Sequence, residues 1–393
     1  MKRVHLKKGR EESLLRRHPW LFSGAISRME GEPNEGDIVS VISQNGELLG
    51  YGHFQIGSIA VRILSFDDAA LSPYFWKERI SAAYRHRLSI SLKNTDCYRL
   101  VHGEGDGLPG LIVDWYNGVA VVQAHSVGMF LSLEKISNAL KEVYGEQLMA
   151  IYDKSSVTAP FNAGLDLSDG YLYCNDAFES AKEGVVVENG HKFIVSWEEG
   201  QKTGFFLDQR ENRALVERYA SGRKVLNLFS YTGGFSVYAL AGGAASVDSV
   251  DSSSKAVAMM ERNVALNALS NHRSFCEDAI DFVRNSPEGK YDMIIVDPPA
   301  FAKHRGALRN ALKGYQRLNS AAISKVAPGG IIFTFSCSQV VDSYSFALAI
   351  FSAAAEAGRS VKILDRLNQP ADHPVNIFHP EGEYLKGLVL YVE

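Results

Sequence analysis

The sequence predicts an α/β fold whose largest part is a parallel sheet with helices on both faces. From Lys224 onward, short apolar segments such as KVLNLFS and YDMIIVDPP alternate with helical stretches such as SKAVAMMERNVALNAL. This alternation is typical of parallel strands that are connected by helices. The chain begins differently, because β-rich segments separated by turns precede the first long helical segment, and they predict a small barrel-like β domain.

Length and composition indicate a globular protein with more than one domain. The 393 residues exceed the ~100–200 of an ordinary domain. We expect a β domain over 1–70, a helix and a small α+β domain over 71–180, and a hairpin with the parallel sheet over 181–393. The net charge of −4 does not indicate a nucleic-acid binder, but a protein with this net charge can still have a local basic patch that binds nucleic acid.

The four cysteines are far apart and form no CxxC pair, which argues against a zinc site and against a disulfide framework. We therefore expect no metal and a reducing cytoplasm. The N-terminus lacks the apolar core of a secretory signal, and no apolar run approaches the ~18 residues of a membrane span. The oligomeric state stays open, with a homodimer among the options.

Local signals place the elements between the two ends of the chain. Pro73 suits the start of a helix, and two strands are expected on either side of Asn117-Gly118. Asn189-Gly190 lies between two β-branched runs and predicts a hairpin. The last 34 residues, from Ser360, offer two more strands around a long loop, so we expect a closing hairpin there.

Four strand ends of the predicted sheet carry residues suited to a ligand. The first strand ends in Tyr231-Thr232-Gly233-Gly234, where glycines permit close approach and a helix offers free N–H groups. Acids follow the next three strands at Asp251, Asp278 and Asp297. A glycine-rich loop without a phosphate signature, followed by acids, favours S-adenosylmethionine over a dinucleotide, although each acid alone is equally explained as a helix N-cap.

The chain resembles the class I RNA methyltransferases, and most closely the RlmI-type cytosine-5 methyltransferases of large-subunit ribosomal RNA. The resemblance spans nearly the whole chain and is carried by HPWLFSGAI, GEGDGLPGLIVD, KTGFFLDQRENR, NLFSYTGGFSVYA, VDPPAF and FSCS. It implies an N-terminal PUA domain that binds RNA, a small α+β domain, and a Rossmann-like methyltransferase domain that binds S-adenosylmethionine.

The resemblance also assigns residues to the cofactor. The motif DQR and the phenylalanine before it would frame the methionine end, the tyrosine and glycine of YTGG would lie under the cofactor, and acids would hold the ribose and approach the adenine. The residues implied are Phe206, Asp208, Gln209, Arg210, Tyr231, Gly233, Asp251, Asp278 and Asp297.

Cys337 and Asp297 are the candidate catalytic residues. Cytosine carbon 5 is a poor nucleophile, and a thiolate that adds to carbon 6 activates it. Cys337 follows the apolar run FTFS and precedes a helical segment, whose N-terminus we expect to favour the thiolate. The other reading of Cys337 is a small core residue. Many RNA cytosine-5 methyltransferases carry a second cysteine after the Pro-Pro turn; here that position is Ala300, as in the subfamily that the chain resembles.

Several residues are candidates for contact with RNA. Phe301 is a stacking surface for the target base or, equally well, an aromatic that anchors its loop. Lys303 follows the Pro-Pro turn and is placed to bind phosphates. Arg16 and Arg17 belong to a basic N-terminal cluster, and basic residues, among them Arg87, recur on the helix after Pro73; a solvated charged face would give the same pattern.

Two other functions remain open at this stage. DPPAF also resembles the turn with which amine methyltransferases grip an exocyclic nitrogen, so guanine or adenine is an alternative target that would not need Cys337. The second alternative is a non-catalytic RNA-binding assembly factor that retains the cofactor pocket.

Overall fold

The chain folds into two compact units. The computed structural model describes residues 1–159, 164–165, 167–178, 182–302 and 304–393. One unit comprises Met1–Val186, Val195–Leu207 and Ala371–Gly382. The other comprises Val187–Ile194, Asp208–Pro370 and Glu383–Glu393. The expected domain boundaries near residues 70 and 180 stay predictions, and both N-terminal sheets lie in the first unit.

A six-stranded sheet forms the N-terminal part of the first unit. Its strands, with one short helix α1 at Glu12–Leu15, are β1 Arg3–Leu6, β2 Trp20–Phe22, β3 Ile26–Glu30, β4 Ile38–Ile42, β5 Leu48–Phe54 and β6 Ile59–Ser65. The strand order is β2-β6-β5-β4-β1-β3, and only β1 and β4 pair in parallel. Val4, Val39, Val41 and Val61 are fully buried in its core.

A five-stranded sheet covered by helices follows in the same unit, as the predicted α+β segment requires. Its elements are α2 Phe75–Ser89, β7 Cys97–His102, β8 Leu111–Tyr116, β9 Val119–Ala124, α3 Val127–Leu131, α4 Leu133–Tyr144, β10 Ala150–Asp153 and β11 Gly170–Cys174. The order is β11-β10-β9-β8-β7. Asn117 and Gly118 connect β8 to β9 with φ of 42° and 98°, the left-handed geometry that a two-residue hairpin needs.

The Asn189-Gly190 hairpin forms as predicted, and a helix follows it. The hairpin strands are β12 Glu183–Glu188 and β13 His191–Ser196, and the helix is α5 Arg210–Tyr219. Asn189 and Gly190 have φ of 50° and 88°, as a type I′ turn requires.

The second unit is built on a seven-stranded sheet with helices between its strands. In chain order the elements are β14 Lys224–Leu228, α6 Gly234–Ala241, β15 Ser246–Asp251, α7 Ser254–Leu266, β16 His272–Cys276, α8 Ala279–Asn285, β17 Tyr291–Val296, α9 Leu308–Lys325, β18 Val326–Ser336, α10 Ser343–Ala357, β19 Val361–Asn368 and β20 Lys386–Val392. The order is β16-β15-β14-β17-β18-β20-β19. β20 alone is antiparallel to its neighbours, so the predicted closing hairpin of β19 and β20 is confirmed.

The order of this sheet reverses between β14 and β17, because β15 and β16 lie on one side of β14 and the later strands lie on the other. Ligands of open α/β sheets bind outside the carboxyl ends of the strands at such a point. Buried aliphatic residues hold the strands, among them Leu226, Val250, Ile294 and Ile332, and each stabilises the fold by about 1.5–3 kcal/mol.

Among the described residues, no helix combines the length and the apolar character that crossing a bilayer demands.

Candidate active site

The carboxyl ends of five strands bring the predicted residues to one edge of the second unit's sheet. The pairing fixes this alignment: Leu228 of β14 lies opposite Val250 of β15 and Val296 of β17. Asp251 ends β15, and Asp297 directly follows Val296. Cys337 directly follows β18, whose Thr334 pairs with Val296.

The loop between β14 and α6 has an unusual backbone. Phe229, Tyr231 and Gly233 have φ of 56°, 46° and 80°, and a left-handed conformation is uncommon for aromatic residues. The Tyr231 N–H donates to Asp251 Oδ2 at 2.8 Å, which ties the loop to the end of β15. Strain of this kind is found at ligand-binding sites because the surrounding structure must maintain it.

Two hydroxyls in the same loop are buried without a hydrogen-bond partner. Ser230 Oγ and Thr232 Oγ1 have none among the described residues. Buried polar atoms are nearly always satisfied, and such exceptions are commonly completed by a ligand or by water. The loop therefore fits a polar ligand beside Asp251.

Asp251 and Asp278 have structural hydrogen bonds of their own. Asp251 Oδ1 accepts from the Ser253 N–H at 2.9 Å. Asp278 is the N-cap of α8, and its Oδ1 accepts from the N–H groups of Ile280 and Asp281 at 2.9 and 3.0 Å. Asp278 therefore is a helix N-cap, which was one of its two interpretations. Oδ2 of this exposed carboxylate remains available to a ligand.

A chain of side-chain amides leads to Asp297. Gln209 Nε2 donates to Asp297 Oδ2 at 3.0 Å, and Asn212 Nδ2 donates to Gln209 Oε1 at 2.6 Å. Gln209 and Asn212 are buried, whereas Asp297 is half-buried. The amides hold Asp297 in one orientation.

The other residues of the DQR motif are buried in the second unit. Asp208 Oδ2 accepts a 2.6 Å hydrogen bond from the Tyr384 hydroxyl. The Arg210 side chain is fully buried at the start of α5, and its Nε lies 3.5 Å from Glu211 Oε1. A buried carboxylate and a buried guanidinium on either side of Gln209, which bonds Asp297, suit the charged amino acid end of a cofactor.

Cys337 differs from the two serines that flank it. Ser336 and Ser338 are fully buried, and both hydroxyls bond the Tyr315 hydroxyl, at 2.9 and 3.0 Å. Cys337 is half-buried. Because successive residues of an extended strand face opposite sides, the tyrosine anchors the serines inside while the thiol remains accessible.

The Pro-Pro turn packs against the same tyrosine. The rings of Phe301 and Tyr315 are 4.7 Å apart, and the Ala302 N–H donates to Ser338 Oγ at 3.3 Å. Phe301 therefore anchors its loop, and its role as a stacking surface stays a prediction. Lys303 lies outside the described residues.

The prediction that a helix N-terminus favours the Cys337 thiolate does not agree with the structure. Helix α10 begins at Ser343, six positions after Cys337, and Asp342 Oδ1 caps it by accepting from the Ser345 N–H at 2.7 Å. The carboxylate of Asp342 therefore occupies the site that a thiolate would need.

Sequence reasoning missed Lys386, Tyr315 and Tyr384. Lys386 Nζ donates to the carbonyls of Ser338 and Val341 at 2.7 and 2.5 Å, just after Cys337. The sequence signal that could have identified Lys386 is a lysine at the start of the apolar strand KGLVLYV, because a buried charge is costly unless it has partners.

The first unit holds the other predicted residues. The Phe206 ring lies 5.1 Å from Lys202 Nζ. Arg16 is exposed and pairs with Glu12 one helical turn away. Arg17 is also exposed, with φ of 61°, and its guanidinium lies over the Phe66 ring. Both arginines are thus accessible from solvent.

The expectation for Arg87 as part of a basic RNA-facing helix is wrong. Its guanidinium is buried, forms a bidentate pair with Asp106, and donates to the Asp372 carbonyl at 2.9 Å. A buried, fully paired arginine holds the unit together and is not free to bind phosphate.

Comparison with known proteins gives a consistent family. Residues 98–382 match the model of the S-adenosylmethionine-dependent methyltransferases, and residues 4–66 match a PUA-like domain. The "Ribosomal RNA large subunit methyltransferase I" of Aeromonas salmonicida is 41% identical over 98% of this chain and 98% of its own. The protein of the same name from Escherichia coli O157:H7 is 39% identical over 99% of both chains.

A solved structure agrees over the full length. The methyltransferase fold of SMU.776, crystallised with SAH, superimposes with a TM-score of 0.85 at 25% identity and covers 100% of both chains. The predicted Rossmann-like methyltransferase fold and PUA domain are confirmed. The sheet order and the polar residues at the carboxyl ends of the strands agree with these matches. The chain therefore belongs to the family of S-adenosylmethionine-dependent methyltransferases, among the relatives of ribosomal RNA large subunit methyltransferase I.

Proposed function

We propose that the protein forms 5-methylcytosine in large-subunit ribosomal RNA through a covalent adduct with Cys337. The names of its full-length relatives support the substrate. The observation that carries the chemistry is a half-buried thiol directly after β18, between two serines that are fully buried. The proposed place of action is the cytoplasm, where thiols stay reduced.

The proposed reaction begins at carbon 6 of cytosine. The Cys337 thiolate forms a bond to carbon 6, the carbon 5–carbon 6 double bond opens, and its electrons make carbon 5 nucleophilic. Carbon 5 would then take the methyl group that S-adenosylmethionine supplies when bound, and the broken carbon–sulfur bond would leave a neutral thioether. A base removes the carbon 5 proton, the double bond re-forms, and the thiolate leaves carbon 6. Covalent catalysis of this kind divides one hard step into easier ones.

Asp297 is the proposed contact for the pyrimidine edge. A carboxyl group held by Gln209 is placed to bond nitrogen 3 and the exocyclic amine, and a proton at nitrogen 3 assists the attack on carbon 6. The loop with Tyr231 and Gly233, together with Asp251 and Asp278, is the proposed nucleoside side of the cofactor site. Its two buried hydroxyls without partners fit that role.

The remaining residues of the cofactor site are proposed at its methionine end. Phe206, Asp208, Gln209 and Arg210 take this role in the family that the motif KTGFFLDQRENR resembles, and Asp208 and Arg210 supply opposite charges. Asp297 would contact both cofactor and base.

Contacts to RNA are proposed for Arg16, Arg17, Phe301 and Lys303. The two arginines are exposed in the part of the chain that matches the PUA-like domain. A base must leave its stack or loop to reach a sheet-edge thiol, so a separate surface that holds the flanking backbone suits the reaction.

Replacement of Cys337 by alanine tests the proposal. We expect the variant to lose methylation of undermethylated large-subunit RNA by at least a thousandfold, since without the thiolate carbon 5 is not activated. The measurement is 5-methylcytosine by mass spectrometry of RNA incubated with labelled cofactor. Cys276→Ala is the matched control, because Cys276 is an exposed cysteine at the end of β16, the edge strand on the other side of the same sheet.

The alternatives predict other results. Methylation of a guanine or adenine amine by the wild type, unaffected by Cys337→Ala, would replace this proposal with amine chemistry at the Asp-Pro-Pro turn. Absence of label from every base would leave an RNA-binding protein without catalysis.

A further inference from the structure

Lys386 occupies an unusual place for a charged residue. It begins β20, an otherwise apolar strand that pairs with β18 and β19, and it lies directly opposite Ser336 of β18, the residue before Cys337. Its side chain is buried. Burial of an ammonium is costly unless nearby groups favour its charge, so the position requires an explanation.

The ammonium binds the segment that begins at Cys337. Nζ donates to the Ser338 carbonyl at 2.7 Å and to the Val341 carbonyl at 2.5 Å. These partners are main-chain carbonyls, so among the described residues no carboxylate neutralises Lys386 at contact distance. The lysine thereby fixes the backbone on the C-terminal side of the thiol.

Three groups act on the Lys386 charge through space: the Cys337 thiol, Glu383 and Asp342. Burial lowers the pKa of Lys386 to about 8, and these three groups oppose that shift. The ammonium form therefore still predominates at pH 7. Coulomb attraction is mutual, so a thiolate that stabilises the ammonium is itself stabilised by it.

The group that bonds the two serines beside the thiol carries no positive charge. Tyr315, which bonds both flanking serines, is a neutral phenol, and the charge of Cys337 contributes to raising its pKa. Helix α10 has its N-terminus capped by Asp342. Lys386 therefore supplies a positive charge that can compensate a negative sulfur.

We propose that Lys386 is the positioning residue for Cys337: its ammonium favours the thiolate, and its two hydrogen bonds hold the strand end that carries the sulfur. The inference deepens the proposed function and rests on it for the use of the thiolate as a nucleophile. The effect on the thiol itself exists without RNA and without cofactor.

The test is the pH dependence of alkylation by iodoacetamide, followed for each cysteine by peptide mass spectrometry. In the wild type, Cys337 should reach half of its maximal rate at least one pH unit below Cys276. In Lys386→Met, its rate at pH 7 should fall about tenfold while Cys276 is unchanged, and Lys386→Arg should restore most of the loss. Lys362→Met, on the exposed face of β19, is the matched control.

Each outcome decides the inference. If Cys337 of the wild type is alkylated with the same pH dependence as Cys276, the proposed role of Lys386 is overturned. An alkylation profile of Cys337 that is unchanged in folded Lys386→Met also overturns it. The proposed function is judged separately by Cys337→Ala: if that variant still methylates cytosine, the nucleophile assignment fails even where the shifted thiol profile is found. If Cys337→Ala is inactive and the profile is unshifted, only the role of Lys386 fails.

Discussion

At the scale of residues, the orientation of Asp297 is set by a chain of hydrogen bonds from Gln209 and Asn212. Asn212 Nδ2 bonds Gln209, which in turn bonds Asp297, and Asn212 also donates to the Asn368 carbonyl at 3.4 Å. A carboxylate held through two amides keeps a fixed orientation. Small displacements of a positioned group reduce rates strongly, because the reacting geometry is narrow.

We therefore expect Asn212→Ala to lower the single-turnover methylation rate by about tenfold, since Gln209 loses its anchor and Asp297 its fixed orientation. Rapid-quench incorporation of labelled methyl into RNA measures this rate. Asn285→Ala, at the exposed end of α8, serves as the control and should retain the full rate. Equal rates for both variants would show that Asp297 does not depend on the amide chain.

At the scale of elements, the tip of the hairpin is held to α5 and α6 by a buried ion pair. Arg213 Nε and its NH2 group bond the two oxygens of Glu188 at 2.8 and 2.7 Å, and the Tyr238 hydroxyl donates to Glu188 at 2.9 Å. Both charged residues are fully buried. The pair stabilises the packing only while both partners are present.

Arg213→Met should lower the free energy of unfolding by about 3–5 kcal/mol, because it leaves the Glu188 carboxylate buried without its partner. Urea unfolding followed by far-UV circular dichroism measures the change. The double variant Arg213→Met/Glu188→Leu should recover most of the loss, since two apolar residues need no partner. A double variant as unstable as the single one would contradict this account.

Local sequence signals were sufficient to predict several secondary-structure elements. The alternation of apolar runs and helical stretches predicted β14 to β18, and Asn189-Gly190 predicted its hairpin. Strands β1 to β3 were not identified individually, since they have only four, three and five residues. Short strands obtain their stability from pairing partners elsewhere in the chain, which a local pattern does not contain.

The site was predictable where residues follow strand ends and not where distant residues meet. Asp251, Asp297 and Cys337 were placed at one edge because parallel strands end together. The bond from Lys386 to Ser338 joins residues 48 positions apart, and that from Gln209 to Asp297 joins residues 88 apart. Such contacts depend on the packing of complete elements, so no periodicity or motif spacing indicates them.

At the scale of the whole molecule, buried histidines couple the stability of the first unit to pH, and His53 is one of them. His53 lies in β5, is almost fully buried, and its Nδ1 has no hydrogen bond among the described residues. Its ring stacks near Trp76 at 6.2 Å, and Gly128 packs so closely that an added Cβ would lie 2.2 Å from the ring. The tight packing leaves no room for water to solvate a charged imidazole.

Burial, assisted by the charges of Lys135 and Arg62, lowers the pKa of His53 from 6.5 to about 4. The folded state therefore holds the ring neutral, whereas the unfolded chain takes up a proton below pH 6.5. The stability that His53 contributes is present above pH 6.5 and is lost as the pH falls toward 4, by up to about 3 kcal/mol. The first unit should thus become less stable under mild acid.

The four tryptophans, Trp20, Trp76, Trp115 and Trp197, all belong to the first unit, so their fluorescence reports its unfolding. Urea unfolding of the wild type, followed in this way at pH values from 7.5 to 4.5, should show the acid loss, and His53→Gln should show a smaller one because glutamine does not titrate. The variant will be less stable at neutral pH, since it disturbs the packing on Trp76. The informative quantity is therefore the slope of stability against pH, and parallel slopes for the two proteins would remove His53 as the cause.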